Sequence, residues 1–178
     1  MQPDPSLARL GSHEGTTVTI RKLEHSDWPE VWKLIEPVFR AGETYAVSPE
    51  ITEAEARRMW VEAPAGTYLA QGENAVVLGT YFVKPNQAGG GAHVCNCGYI
   101  VSETARGKGV ASLMCAHSQR EATRLGFRAM QFNFVVSTNE GAIRLWQKLG
   151  FEIVGRLPGA FEHPHRGFVD ACVMYKAL

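Results

Sequence analysis

The feature that most restricts how this chain can fold is the transition at residues 102–111, where an apolar strand gives way to a helix. Val94–Val101 is an apolar run with the length of a central strand. The helix that follows is apolar from Leu113 onward, and Gly126 stands where a left-handed cap ends it. Glycines in the turn permit positive φ and close approach of the backbone to a ligand. The segment therefore predicts a strand that leads directly into a helix N-terminus.

The same turn is a candidate anion site. Unpaired N–H groups at a helix N-terminus, together with the helix dipole, favour an anion, and Arg106 and Lys108 add positive charge. A pyrophosphate fits this description. The alternative is an ordinary glycine-containing turn with solvated basic side chains. The turn matches neither GxxxxGK[ST] nor GxGxxG, which argues against nucleoside triphosphates and NAD.

The remaining pattern predicts one mixed α/β domain. Residues 1–15 contain two prolines and two glycines, and we expect a flexible leader there, followed by a domain over residues 16–178. That domain begins with one strand, two helices and three strands. Helices and strands then alternate, and a hairpin from Phe151–Leu157 and Phe168–Tyr175 ends the chain.

Composition excludes several classes of partner. The 178 residues include 18 Lys plus Arg and 18 Asp plus Glu, so neither nucleic acid nor polyamines are favoured by net charge. No signal peptide or membrane-spanning run is visible, so we expect a cytoplasmic protein without a membrane partner. The four cysteines form no CxxC pair, so we expect reduced thiols and no metal site.

A second segment carries polar and apolar residues at a characteristic spacing. Asn139 follows a strand and can cap the next helix, while Leu145, Trp146 and Leu149 are candidate core residues. Together the two segments resemble the GNAT acetyltransferase superfamily, in which [Q/R]-x-x-G-x-[G/A] is followed by N-x-x-A, an aromatic residue and a Gly-Phe pair. The matching residues are Arg106, Gly109, Ala111, Asn139, Ala142, Trp146, Gly150 and Phe151.

The resemblance implies an acetyl-CoA-dependent N-acetyltransferase. It implies a central, mostly antiparallel sheet with one parallel, splayed strand pair, flanked by helices. Pantetheine would lie along the end of the strand, the pyrophosphate on the glycine-containing turn, and the thioester near Asn139. The implied cofactor-binding residues are Tyr99, Ile100, Val101, Arg106, Gly107, Lys108, Gly109, Val110, Ala111, Ser112, Asn139 and Trp146.

Trp146 departs from the family pattern, because many members have there a tyrosine that protonates the leaving thiolate. An indole cannot do so, but a thiol of pKa about 8.5 yields a tolerable leaving group without an acid. Tyr99 is an alternative acid by position, or simply a half-buried strand aromatic.

Two asparagines interrupt apolar strands, where asparagine is disfavoured. Asn96 lies in Val94–Val101 and Asn133 in residues 130–136. An unpaired buried amide costs about 1–3 kcal/mol, so the two amides either face a shared cleft or face solvent. Residues 79–178, and more weakly Gly42–Tyr45, resemble the fungal acetyltransferases of proline analogues such as azetidine-2-carboxylate. That branch implies that Asn96 and Asn133 hold the substrate carboxylate and that Asn139 is the catalytic residue.

The expected activity is direct acetyl transfer to a small amine, amino acid or proline analogue. Alternatives are a peptide or protein N-acetyltransferase and a non-catalytic acetyl-CoA-binding module, the latter suggested by Trp146. Glu43 and Glu140 are candidate bases, or surface carboxylates. Histidines in residues 162–167 either shape the acceptor pocket or lie in a solvated loop. A homodimer is expected through edge surface offered by the terminal strand, residues 168–175.

Overall fold

The structure, a computed structural model, describes residues 8–13 and 16–178. These residues form an eight-stranded sheet in the order β1-β2-β3-β4-β5-β6-β8-β7, with β5 and β6 as its parallel neighbours. The strands are β1 (Ala8–His13), β2 (Thr16–Lys22), β3 (Gly66–Gln71), β4 (Val77–Pro85), β5 (Val94–Val101), β6 (Ala129–Val136), β7 (Glu152–His163) and β8 (Gly167–Ala177). The helices are α1 (Trp28–Ala41), α2 (Glu53–Arg57), α3 (Val110–Arg124) and α4 (Glu140–Lys148). The predicted mixed α/β architecture with one parallel pair is confirmed.

The two faces of the sheet carry separate cores. On one face α3 and α4 contribute to a core that includes Met114 and Phe132, and on the other α1 and the α2 region pack around Trp60. Because successive residues of a strand point to opposite faces, Tyr81 and Phe82 of β4 enter different cores. This division leaves each helix layer free to position its own part of the site.

Local signals set the helix boundaries. Thr52 and Glu55 form a capping box at the start of α2, with the Glu55 amide 3.3 Å from Thr52 Oγ1. Pro37 lies inside α1, which continues to Ala41 and is closed by Gly42 at φ 62°. Pro37 does not break α1, because buried side chains at positions 31, 35 and 39 anchor the helix on both sides of the proline.

The prediction of a flexible leader over residues 1–15 is wrong for residues 8–13. Ala8–His13 forms β1 and pairs antiparallel with β2, Leu10 lying opposite Val18. β2 would otherwise present an unpaired edge, which an adjacent segment of chain can satisfy. Residues 1–7 and 14–15 lie outside the described part of the chain.

The terminal hairpin is longer than expected and differently placed. β7 continues past Leu157 to His163, because a shift in register between Leu157 and Phe161 absorbs the disruption at Pro158. β8 lies between β6 and β7, so β7 rather than the predicted terminal strand is at the edge of the sheet.

Candidate active site

The site begins where β5 and β6 separate. Within the described chain, their parallel ladder is limited to Val94 opposite Ala129 and Cys95 opposite Met130. Immediately after it, Asn96 Nδ2 donates to the carbonyl oxygen of Gln131 at 2.9 Å. The remaining lengths of the two strands diverge, so backbone groups of β5 face an open space instead of a neighbouring strand. The predicted splay is confirmed.

A cavity of about 960 Å³ occupies this opening. Its walls come from β5, β6, the N-terminal turn of α3, the start of α4 and the loop after α1. The sequence-predicted residues that line it are Asn96, Tyr99, Ile100, Val101, Arg106, Gly107, Gly109, Val110, Ala111, Ser112, Asn133, Asn139 and Trp146. Lys108 is exposed and is not among the lining residues. The fold therefore brings together both motifs and both strand asparagines.

The turn before α3 adopts the conformation that its glycines permit. Gly107 has φ 75° and Gly109 has φ 79°, and a Cβ at Gly107 would meet no heavy atom within 4 Å. The amides of Val110, Ala111 and Ser112 belong to the first helical turn, whose N–H groups have no intrahelical acceptor. A pyrophosphate fits this turn because N–H groups, the helix dipole and open space coincide.

The Asn139 side chain caps α4 and also lines the cavity. Its Oδ1 accepts the Ala142 amide at 3.3 Å and caps α4. Among the described residues, its Nδ2 has no hydrogen-bond partner, and the side chain is half-buried. A donor group is therefore held at the cavity wall by a helix cap.

Asn133 occupies a network of amides. Its Nδ2 donates to Asn86 Oδ1 at 2.6 Å, and its Oδ1 accepts from Gln131 Nε2 at 2.8 Å. Asn133 is exposed, whereas Asn96 is half-buried, yet both line the one cavity. Each amide uses one of its two N–H bonds, so each retains one for a ligand.

The Tyr99 hydroxyl is already engaged in a hydrogen bond. Tyr99 Oη lies 2.7 Å from Ser118 Oγ of α3, and its ring centroid lies 5.0 Å from that of Trp146. Burial raises the pKa of Tyr99 well above its ordinary value. Trp146 is itself 8% exposed and packs against Phe132, so the two aromatic rings form one wall of the site.

Sequence reasoning did not single out Tyr45 or Gly98. Tyr45, from the loop after α1, donates its hydroxyl to the Tyr99 carbonyl at 2.9 Å, and burial raises its pKa. A Cβ on Gly98 would lie 2.6 Å from Phe82 Cε1 and 3.2 Å from Tyr45 Oη, so only glycine admits both rings. Tyr45 belongs to the Gly42–Tyr45 match, and this was the available signal for it; the packing around Gly98 has none in the sequence.

The hairpin between β7 and β8 faces the loop after α1. His163 is 7% exposed and accepts the His165 amide on Nδ1 at 3.2 Å, so it is not a solvated loop residue. His165 is exposed, with Nε2 3.8 Å from Glu43 Oε1. A smaller cavity of about 550 Å³ lies between this hairpin and the loop after α1, and Tyr45 lines both cavities.

The two candidate bases differ in position. Glu43 lines the main cavity. Glu140 is exposed and pairs with Arg144 at 3.0 Å on α4. The geometry therefore favours Glu43 over Glu140.

Within residues 8–13 and 16–178, no group of three or more His, Cys, Asp or Glu side chains is arranged to hold a metal ion. In the same part of the chain, every helix is too short or too polar to cross a membrane.

Comparisons with known proteins agree with this geometry. The sequence is 38% identical over 103 residues to N-acetyltransferase aca1 of Schizosaccharomyces pombe, a match covering 54% of this chain and 47% of aca1, about half that protein's length. A GCN5-related N-acetyltransferase from Kribbella flavida is 41% identical with a TM-score of 0.86, covering 90% of this chain and 98% of that one. A phosphinothricin acetyltransferase from Sinorhizobium meliloti, solved with AcCoA, is 21% identical with a TM-score of 0.80, covering 90% of this chain and 88% of that one. Residues 21–151 match the acetyltransferase (GNAT) family, and the chain belongs to that family.

Proposed function

We propose that the enzyme transfers the acetyl group of acetyl-CoA directly to the amine of a small, carboxylate-bearing acceptor such as an amino acid or a proline analogue. The observation that carries this proposal is a single cavity that joins the N-terminal turn of α3 to Asn96 and Asn133. The first part suits a pyrophosphate, and the two amides suit a small polar acceptor. The AcCoA in the Sinorhizobium meliloti structure supports the choice of donor.

The chain's own groups then have defined tasks. The amides of Val110, Ala111 and Ser112 bind the pyrophosphate, and the unpaired edge of β5 receives the pantetheine. Backbone N–H groups near Tyr99 and Ile100 stabilise the negative charge that develops on the thioester oxygen. Asn139 orients the amine or a deprotonating water through Nδ2.

Trp146 stands where many family members have a tyrosine, so this position supplies no acid for the proton transfers. The acceptor amine attacks as the neutral base, so its proton passes to water or to Glu43. The departing thiolate needs no strong acid, since its pKa is about 8.5. We therefore propose that Trp146 packs the site and takes no proton-transfer role.

Two other functions compete with this proposal. A peptide or protein acceptor needs an open groove, whereas the β7–β8 hairpin with buried His163 flanks the acceptor side. A non-catalytic acetyl-CoA-binding module would not require the unpartnered Nδ2 of Asn139 or the amide pair. These observations favour the small-acceptor enzyme.

We also place the protein in the cytoplasm, without a nucleic-acid or membrane partner. Support for a reducing compartment comes from the four cysteines, all buried and free: Cys95, Cys97, Cys115 and Cys172.

Thiol release from acetyl-CoA by the purified chain tests the proposal. The acceptors are azetidine-2-carboxylate, free amino acids, aminoglycosides, polyamines and short peptides. We expect turnover with a small carboxylated amine, with at least about a tenfold rise in KM for Asn96→Ala or Asn133→Ala. Asn74→Ala, in the turn between β3 and β4, is the matched control and should leave KM unchanged. Turnover confined to peptides, or binding of acetyl-CoA with no turnover, would contradict the proposal.

A further inference from the structure

Lys84 is a half-buried cation on the wall of the main cavity. Among the ion pairs of residues 16–178, no carboxylate lies within 4.0 Å of its ammonium group. Within the described residues, the Lys84 ammonium lies over the Phe82 ring, with Nζ 5.4 Å from the ring centroid. A cation placed in a cavity without an internal counter-charge is available to an anionic ligand.

The register of the sheet places Lys84 beside the acceptor amides. Lys84 of β4 lies directly opposite Asn96 of β5, and Phe82 lies opposite Gly98. Side chains of directly opposite residues share a face and have Cβ atoms about 4.5–5.5 Å apart. Because Gly98 has no side chain, the Phe82 ring lies over it, and the Lys84 ammonium lies against that ring. The charge is therefore held near Asn96.

The amide network extends this group to β6. Asn86, two residues after Lys84, accepts a hydrogen bond from Asn133 at 2.6 Å. Residues near the end of β4 thus contact both implied acceptor ligands, Asn96 by strand pairing and Asn133 by a side-chain hydrogen bond. Amides are neutral and supply no counter-charge to a carboxylate. The other cation of the cavity, Arg106, belongs to the turn before α3 and lies 3.8 Å from Glu103.

We propose that Lys84 is a specificity-determining residue that forms the ion pair with the acceptor carboxylate, while Asn96 and Asn133 orient it. The inference rests on the proposed small-acceptor function and deepens it. It assigns the preference for a carboxylate over an uncharged group of the same shape to one side chain. It also predicts that the preference weakens as salt rises, because the ion pair is partly solvated.

The test compares azetidine-2-carboxylate with its carboxamide, which keeps the ring and amine but lacks the charge. Calorimetric titration in the presence of CoA gives Kd for each acceptor, and thiol release gives KM. For the unmodified enzyme we expect the carboxylate to bind more tightly, on the order of tenfold to a hundredfold. Lys84→Met should abolish that ratio by weakening carboxylate binding alone, and Lys84→Arg should keep it. Acetyl-CoA affinity should be unchanged in both variants.

Each outcome decides the proposal. A Lys84→Met enzyme that still turns over amines and still prefers the carboxylate would overturn the role of Lys84 and leave the acetyltransferase proposal standing. The carboxylate site itself would be overturned if the unmodified enzyme did not distinguish the two acceptors, or bound neither. Turnover of acetyl-CoA with other amines would then test the proposed acetyltransferase function separately. Should Lys84→Met fail to fold, the salt dependence of the ratio in the unmodified enzyme decides: a ratio unchanged between low and high salt overturns the ion pair.

Discussion

Tyr99 illustrates how one residue can meet a sequence criterion for catalysis and serve another purpose. It stands on the strand that lines the main cavity, close to Trp146 in space. Its hydroxyl nevertheless pairs with Ser118, and burial holds its pKa well above the ordinary range. A proton held so tightly is a poor donor to a thiolate of pKa about 8.5. Its carbonyl, bound by Tyr45, contributes to the shape of β5 instead.

Tyr99→Phe therefore tests whether the hydroxyl is structural. We expect the free energy of unfolding to fall by about 1 kcal/mol because one buried hydrogen bond is lost. Turnover should change by less than about threefold, which corresponds to under 1 kcal/mol in the barrier. Urea unfolding and thiol release measure the two quantities, with Ser118→Ala as the matched partner. A hundredfold loss of kcat confined to Tyr99→Phe would instead identify it as the acid.

Asn139 combines a helix cap with a free amide donor, and two substitutions separate the roles. Asn139→Asp keeps the cap, so its free energy of unfolding should stay within about 0.5 kcal/mol of the original, whereas Asn139→Ala should lose about 1 kcal/mol. Both variants lack the amide N–H, and turnover should fall at least about tenfold in each. Full activity in Asn139→Asp would show that only the cap matters.

The turn before α3 belongs to the element scale, since its backbone conformation creates the proposed pyrophosphate site. Gly107 and Gly126 offer a matched pair: each has positive φ, 75° and 89°, and at each an added Cβ meets no atom within 4 Å. Gly107→Ala and Gly126→Ala should each cost about 1–2 kcal/mol in stability through backbone strain. Only Gly107→Ala should raise the KM for acetyl-CoA, by roughly fivefold to tenfold. Equal KM values in the two variants would remove the turn from cofactor binding.

The separation of β5 from β6 is the other element-scale feature. Asn96 donates to Gln131 just where the ladder ends, so its amide both secures the branch point and faces the cavity. This explains why an asparagine is tolerated within an apolar strand: its buried N–H has a partner on the neighbouring backbone.

At the scale of the whole molecule, burial of His117 couples stability to pH. His117 is 5% exposed, between Tyr68 and Tyr81, and Nδ1 lies 2.5 Å from Tyr81 Oη. Desolvation lowers its pKa in the folded state, with Glu121 opposing. The unfolded chain therefore takes up this proton near pH 6.5 and the folded chain only at lower pH, so stability is lost as pH falls through this range.

His117→Gln should weaken this pH dependence. We expect the free energy of unfolding of the original protein to decline between pH 7.5 and pH 5.5, and that of the variant to decline less. The carboxylates with lowered pKa, Asp27 and Glu121, titrate below this window and do not obscure it. Parallel urea titrations at both pH values measure the difference; identical declines would contradict the assignment to His117.

The expected homodimer is a property of the whole molecule. We propose that two copies of the chain contact each other through the edge strand β7. Val154 of β7 is 58% exposed, and Ile153 and Leu157 of the same strand are also exposed. Val154→Glu should shift the mass measured by light scattering from dimer to monomer. Val76→Glu, at a position of 56% exposure between β3 and β4, is the control and should not. A monomer before any substitution would contradict the proposal.

The features that depend on neighbours in the chain could be read from the sequence. Caps, turns and periodicity are local interactions, so they follow from spacing within a few residues. Examples are the strand Val94–Val101, the glycine turn before α3, the Asn139 cap and the capping box of α2. The family resemblance rests on the same segments. The motif residues that line the cavity could therefore be predicted from the sequence, but they make up fewer than half of its lining.

The rest was decided by tertiary packing. The pairing of β1 with β2, the insertion of β8 between β6 and β7, and the contact of Tyr45 with the Tyr99 carbonyl join segments that are not constrained by local spacing. So does the position of Lys84 opposite Asn96, which depends on a register between two strands. Which segments pair depends on which surfaces bury one another in the folded chain, and local residue patterns do not specify this pairing.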